Sequence, residues 1–289
     1  MELLDFPRRF SSLVNPVKIA KNIKWRYGAS ISNSSHVFVV GAPRSGTTLM
    51  FTIIGAHPSF ASIDCETFFF VPRDNFNLSS YSRLEKNKNI EMRDIEITLE
   101  DSKDIVEFYD KLASKILRDE DKVRFLEKTP FHVLYLKYLV KHFPNARFVN
   151  MIRDGRDCYR SNKRLADYYH KPLKKATRLW RDSIRARQTM GKHSQIIDVR
   201  YEDLTHNPTE TLERVMSFLG EDFYPEQLDP ATYSKSTIFR GDKGHERLSQ
   251  PIKPTSIGKW KKDLTSDEIQ YFQKNAGKEL VCMGYEILD

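Results

Sequence analysis

HVFVVGAPRSGTTLM, residues 36–50, reads as a strand, a loop and the start of a helix. His36 to Val40 is a short apolar run of the kind that fills a buried parallel strand. Gly41 to Ser45 forms the loop. Gly46 to Ala56 has helical spacing, with Leu49, Met50, Ile53 and Ile54 on one face. A glycine-bearing loop that feeds a helix points several backbone N–H groups at one spot, where the helix dipole adds about half a positive charge. Such a nest binds phosphate or sulfate. The spacing of Gly41 and Gly46 matches the nucleotide loop G-x-x-x-x-G-K-[ST], except that Thr47 replaces the lysine. Without that lysine nothing reaches β- and γ-phosphates in the usual way, and Arg44 supplies the cation instead. A P-loop kinase or NTPase is therefore the alternative, and a ligand-free βα turn the bland one.

The rest of the chain continues the alternation. Ser59–Ile63, Val123–Leu126, Ala146–Ile152 and Ile196–Arg200 read as strands. Ile105–Leu117, Phe131–Lys141 and a segment from Arg156 read as helices. Asn207 caps a further helix that Pro208 opens and Gly220 stops. Residues 70–100 read as irregular. The expectation is an α/β fold, a P-loop-type parallel sheet flanked by helices, in a single domain over residues 36–289 after a basic leader, 1–35.

Lysine and arginine number 47 against 39 aspartates and glutamates, a net charge of +8 that suits an anionic partner. No basic strip interleaved with aromatics argues for nucleic acid. Three widely spaced cysteines, Cys65, Cys158 and Cys282, give neither a disulfide framework nor paired zinc ligands, and point to a reducing compartment. No window reaches the ~20 apolar residues of a membrane span. The leader is mildly amphipathic, which leaves a peripheral membrane contact open.

With the motifs in view, the chain resembles the sulfotransferases that use 3′-phosphoadenosine-5′-phosphosulfate (PAPS), and among them the protein-tyrosine sulfotransferases and related bacterial enzymes. The shared stretches are GAPRSGTTLM at 41–50, AHP at 56–58, Glu66-Thr67, Lys128-Thr-Pro-Phe131, FPNARFVNMIRDGRD at 143–157, Tyr201-Glu-Asp-Leu204 and IKPTSIGKW at 252–260. The resemblance implies that Pro43, Arg44, Ser45, Gly46, Thr47 and Thr48 hold the 5′-phosphosulfate. It implies that Arg153 and Ser161 hold the 3′-phosphate; eight residues separate them, about two helical turns. Arg164 is the nearest match to a further family arginine. Tyr201 would meet the nucleotide, or be a core tyrosine. Residues 240–260 would fold over the cofactor, with Lys253, Lys259 and backbone N–H groups around Ser249–Ser256 on its phosphates, or form a surface loop. Asp154 and Asp157 read as turn residues.

Sulfuryl transfer builds charge on the bridging oxygen, which Arg44 and Lys128 are placed to meet, and no metal is required. The family pattern makes Glu66 the base that takes the acceptor's proton; His57 and His132 are the other candidates. Phe68, Phe69 and Phe70 follow Glu66 where tyrosine enzymes carry an arginine, and Arg73 comes only later, which weakens the case for an acidic peptide acceptor. The acceptor is left unnamed. The absence of an anchor and of paired cysteines leads to the expectation of a bacterial, cytoplasmic enzyme.

Overall fold

A computed structural model describes residues 16–63, 65–72, 76, 78–82, 84, 90–164, 172–233 and 246–288. Residues 1–15 of the leader, Arg73 and the 240–244 start of the expected cover lie outside the described residues. Five strands, β1 (Val37–Gly41), β2 (Phe60–Ser62), β3 (Arg124–Lys128), β4 (Arg147–Ile152) and β5 (Ile196–Arg200), form one parallel sheet in the order β2-β3-β1-β4-β5. The helices are α1 (Pro16–Arg26), α2 (Thr47–Gly55), α3 (Met92–Glu100), α4 (Ile105–Glu120), α5 (Leu136–His142), α6 (Gly155–Lys163), α7 (Leu173–Gln188), α8 (Tyr201–His206), α9 (Pro208–Leu219) and α10 (Ser266–Cys282), with shorter turns between them. The expected class, a parallel α/β sheet with flanking helices, is what the chain adopts.

β1 is central, and every one of its residues is buried, as its unbroken apolar run requires. Its side chains alternate between two cores. Phe38 and Val40 pack with Phe125, Phe148, Tyr109 and Leu112 beneath α4 and α5. Val37 and Val39 pack with Ile53, Ile54, Leu212 and Met216 of α2 and α9. A third core joins α6, α7 and α10 through Tyr159, Trp180, Trp260 and Phe272. The chain leaves β1 toward β3 on one side and reaches β4 on the other. That arrangement opens a crevice at the carboxyl ends of β1, β3 and β4, where ligands bind in open sheets.

Local signals set several boundaries. Asp104 caps α4 by accepting from the amides of Val106 and Glu107, at 3.0 and 3.1 Å. Gly220 ends α9 in the left-handed region, φ 75°. The sequence reading needs four corrections. Residues 70–100 are not irregular throughout, since α3 and a short turn at Leu78–Tyr81 lie within them. Phe131–Lys141 divides into a tighter 3₁₀ turn, Pro130–Tyr135, and then α5. Tyr201-Glu-Asp opens α8, a helix that the sequence reading did not assign. The long helices α7 and α10 had no counterpart in that reading. Within the leader, α1 packs Trp25 into the first core, edge-on to Phe76 at 5.2 Å.

Candidate active site

The loop between β1 and α2 owes its path to backbone geometry. Gly41, Arg44 and Gly46 all have positive φ, at 145°, 71° and 100°. At Gly41 a Cβ would meet the Met151 carbonyl oxygen at 2.4 Å, and at Gly46 the Tyr201 ring at 2.7 Å. Both glycines are therefore required by close approach as well as by φ. Gly41→Ala is expected to destabilise the fold by at least ~1–3 kcal/mol, because backbone rather than a side-chain tip blocks the methyl group. Thermal unfolding checks this. The side chain of Ser45 is buried in the loop, and its Oγ has no hydrogen-bond partner.

Four of the sequence-predicted residues converge here. Arg44 Nε donates to Ser161 Oγ on α6 at 3.3 Å. Arg153, at the end of β4, donates to the Arg44 carbonyl at 3.1 Å and to the Ser256 carbonyl at 2.9 Å. Its guanidinium lies 4.1 Å from the centre of the Tyr201 ring. Arg153 is 5% exposed, and its Nε has no partner. A buried guanidinium N–H and a buried hydroxyl without partners, beside a loop of amides, form an incomplete polar site that an anion would complete.

Lys128 and Glu66 form the second group. β3 runs on to Lys128 itself, whose Nζ lies 3.1 Å from Glu66 Oε1. Lys128 is almost fully buried, while Glu66 keeps 28% of its side chain exposed. Glu66 is thus anchored at one oxygen and accessible.

A polar cluster that sequence reading missed fixes the segment after Glu66. Glu127 is fully buried and accepts from Thr67 Oγ1 at 2.8 Å and Thr129 Oγ1 at 2.6 Å, with His132 Nδ1 at 3.0 Å. Phe68 N–H donates to Thr129 Oγ1, and Phe70 N–H to His132 Nε2. Burial works to raise the Glu127 pKa; His132 and the two hydroxyls outweigh it, and the carboxyl is held below its ordinary range. Both ring nitrogens of His132 are engaged, so it supports the segment and is not free to take an acceptor's proton. His57 follows α2 at the opposite edge of the sheet, near the Phe60–Arg124 start of β2 and β3. Its Nδ1 accepts from Ser59 N–H, its ring meets Tyr224, and burial lowers its pKa.

The cover is held by backbone. Asp157 on α6 accepts from Gly258 N–H at 2.7 Å and Trp260 N–H at 3.0 Å, and the Arg156 guanidinium sits 3.6 Å from the Trp260 ring centre. Burial raises the Asp157 pKa against the pull of Arg153 and these amides. Lys253, Lys259 and Arg164 are exposed. The segment's described contacts with the site run through Ser256, Gly258 and Trp260. Asp154 caps α6 and binds Arg156. Among the described residues, no group of three or more His, Cys, Asp or Glu side chains is placed to hold a metal, and no helix is long and apolar enough to cross a membrane.

Comparison with known proteins places the chain among sulfotransferases. The chain is 26% identical to chicken (Gallus gallus) protein-tyrosine sulfotransferase 2 over 87% of its length, covering 69% of that protein. It is 23% identical to the Drosophila melanogaster protein-tyrosine sulfotransferase, of which it covers 48%. Among solved structures, the sulfotransferase domain of the Synechococcus olefin synthase superposes with TM-score 0.60 at 20% identity, over 91% of this chain and 98% of that one. A mouse sulfotransferase solved with PAP superposes with TM-score 0.55 at 13% identity, over 90% and 88%. The Sulfotransferase family pattern matches residues 36–226, which include β1 to β5, the loop between β1 and α2, Arg153 and Ser161, and the chain belongs to that family.

Proposed function

We propose that this sulfotransferase uses PAPS as donor and moves its sulfuryl group in line to an acceptor hydroxyl. The observation that carries this reading is the meeting of Arg44 with Arg153 and Ser161, which lie 109 and 117 residues further along the chain, at one carboxyl-edge site where Arg153 Nε and Ser45 Oγ are buried without a partner. In the proposal the loop amides from Pro43 to Thr48, with the Ser45 and Thr47 hydroxyls, hold the 5′-phosphosulfate. Arg153 and Ser161 hold the 3′-phosphate, and Tyr201 braces Arg153. Glu66 accepts the acceptor's proton as the acceptor oxygen bonds to sulfur. The bond from sulfur to the bridging oxygen breaks, and its electron pair stays with the departing nucleotide. Lys128 and Arg44 stabilise that charge. The cover around Ser256–Trp260 excludes water, with exposed Lys253 and Lys259 reaching the phosphates only on closure. Three widely spaced cysteines, of which Cys65 and Cys158 are buried, support a reducing, cytoplasmic location.

Nucleotide binding tests the donor. PAP, which carries the 3′-phosphate, is expected to bind about 10- to 150-fold more tightly than AMP, since a charge-assisted hydrogen bond contributes ~1.5–3 kcal/mol. Arg153→Ala should erase that difference. Equal affinity for PAP and AMP in the unaltered protein, or tighter binding of Mg-ATP, would overturn the assignment.

A further inference from the structure

We propose that the outward face of α1 and the groove beside α5 form a docking surface for an anionic membrane. The inner side of α1 is accounted for by Trp25 and Asn22, both buried. Its outer side carries Ile19, Ile23 and Tyr27 at successive four-residue steps, hence along one stripe. They are 38%, 53% and 66% exposed, and Ile31 just beyond is 59% exposed. A surface helix normally turns its apolar stripe inward. This one presents a second apolar stripe to solvent, and a contiguous patch of that kind marks an interaction site.

The stripe runs into a groove of about 600 Å³, lined by Tyr27, Ile31, Tyr135 and Tyr138 among others, with Lys137 and Lys141 at its rim. Both lysines are exposed, as is Lys24 on α1. Among the described residues, no carboxylate lines the groove. The sequence has no Asp or Glu between Asp5 and Asp64, nor between Glu127 and Asp154, so both chain segments that build this face lack acids. Asp104 meets the region through Ser30, but it is buried and occupied by the Ser30 amide and by the α4 cap.

Exposed isoleucines, tyrosines with apolar rings and polar tips, and lysines without compensating acids match a lipid–water interface. A nucleic acid would use the cations but leave the isoleucines in water, and so it is disfavoured. The face is also connected to the catalytic edge, because the Arg26 guanidinium at the end of α1 donates to the Phe70 carbonyl in the segment that follows Glu66.

Co-sedimentation of the full chain with phosphatidylcholine vesicles, with and without phosphatidylserine, tests the proposal. Binding is expected to the phosphatidylserine vesicles only, and to weaken with salt. Lys137→Glu with Lys141→Glu should lower partitioning at least about 25-fold, since each basic residue near such a surface contributes about fivefold. Ile23→Ser with Tyr27→Ser should lower it about tenfold or more by removing apolar burial. All four side chains are exposed, so PAP affinity should be unchanged in both variants and report an intact fold. Three results would each overturn the proposal: no vesicle binding, equal binding to neutral vesicles, or an Ile23/Tyr27 variant that binds like the parent. A dimer in sedimentation equilibrium that the same two substitutions abolish would also overturn it, by assigning the face to a second copy of the chain.

Discussion

Glu66→Gln is expected to lower turnover by about 10²–10⁴-fold while PAP affinity stays within a factor of about two, because general-base catalysis contributes on that scale and the nucleotide does not need it. The substitution keeps the shape and the hydrogen bond to Lys128, which lies 3.1 Å away. It removes the negative charge, and with it the capacity to take a proton. That close pairing gives a second observable. If Lys128 turns from Glu66 to the bridging oxygen as charge develops there, the two side chains act as a unit. Lys128→Ala alone should then lower turnover by about 10²–10³-fold, with the donor still bound, since the charge it meets is larger in the transition state. Combining it with Glu66→Gln should cost less than the sum of the separate effects. Single-turnover rates with one phenolic and one aliphatic acceptor check both statements. Unimpaired turnover in Glu66→Gln would remove Glu66 as the base, and His132 could not replace it with both ring nitrogens committed.

Much of this site could be read from residues alone, and the parts that could not share a physical cause. The phosphate loop is legible because glycine spacing and strand-to-helix order are local properties. Arg153 and Ser161 are legible because a strand end and a point two helical turns later fall on the same edge of any parallel sheet. Glu127 and His132 are different. Residues 131–141 have a helical period that would leave His132 on a surface, but the chain opens with a 3₁₀ turn at Pro130–Tyr135, and its three-residue period rotates His132 inward onto Glu127. Helix α3 escaped notice because only Ile95 and Leu99 of its nine residues are buried, too few to stand out from a polar stretch. The resemblance points to Lys253, Lys259 and main-chain amides around Ser249–Ser256 as cofactor contacts, and it gives no sign of the tie between this segment and Arg153 and α6. A carbonyl at Ser256 and amides at Gly258 and Trp260 make that contact, and main-chain groups leave no mark in side-chain identity.

Glu127→Ala is expected to destabilise the protein by about 3–5 kcal/mol, the usual result of removing one partner from a buried pair. The carboxylate is fully buried and is the common acceptor for Thr67, Thr129 and His132, so alanine strands three polar groups away from water. Glu127→Gln retains an acceptor oxygen and should cost less, which separates the loss of charge from the loss of the network. The pH dependence has a definite sign. The folded-state pKa of Glu127 lies below its ordinary value, so the unfolded chain binds the proton more readily. The carboxylate's contribution is therefore complete above the unfolded range, near 4.3, and is lost as pH falls through the folded value. Denaturant unfolding of the parent should weaken with acid below about pH 5 more steeply than that of Glu127→Gln. Because the same cluster holds Phe68 and Phe70 in place, the glutamine variant should also lose turnover at neutral pH without losing PAP affinity. A parent and a Glu127→Gln protein with parallel acid profiles and equal turnover would show that Glu127 neither carries this charge nor positions Glu66.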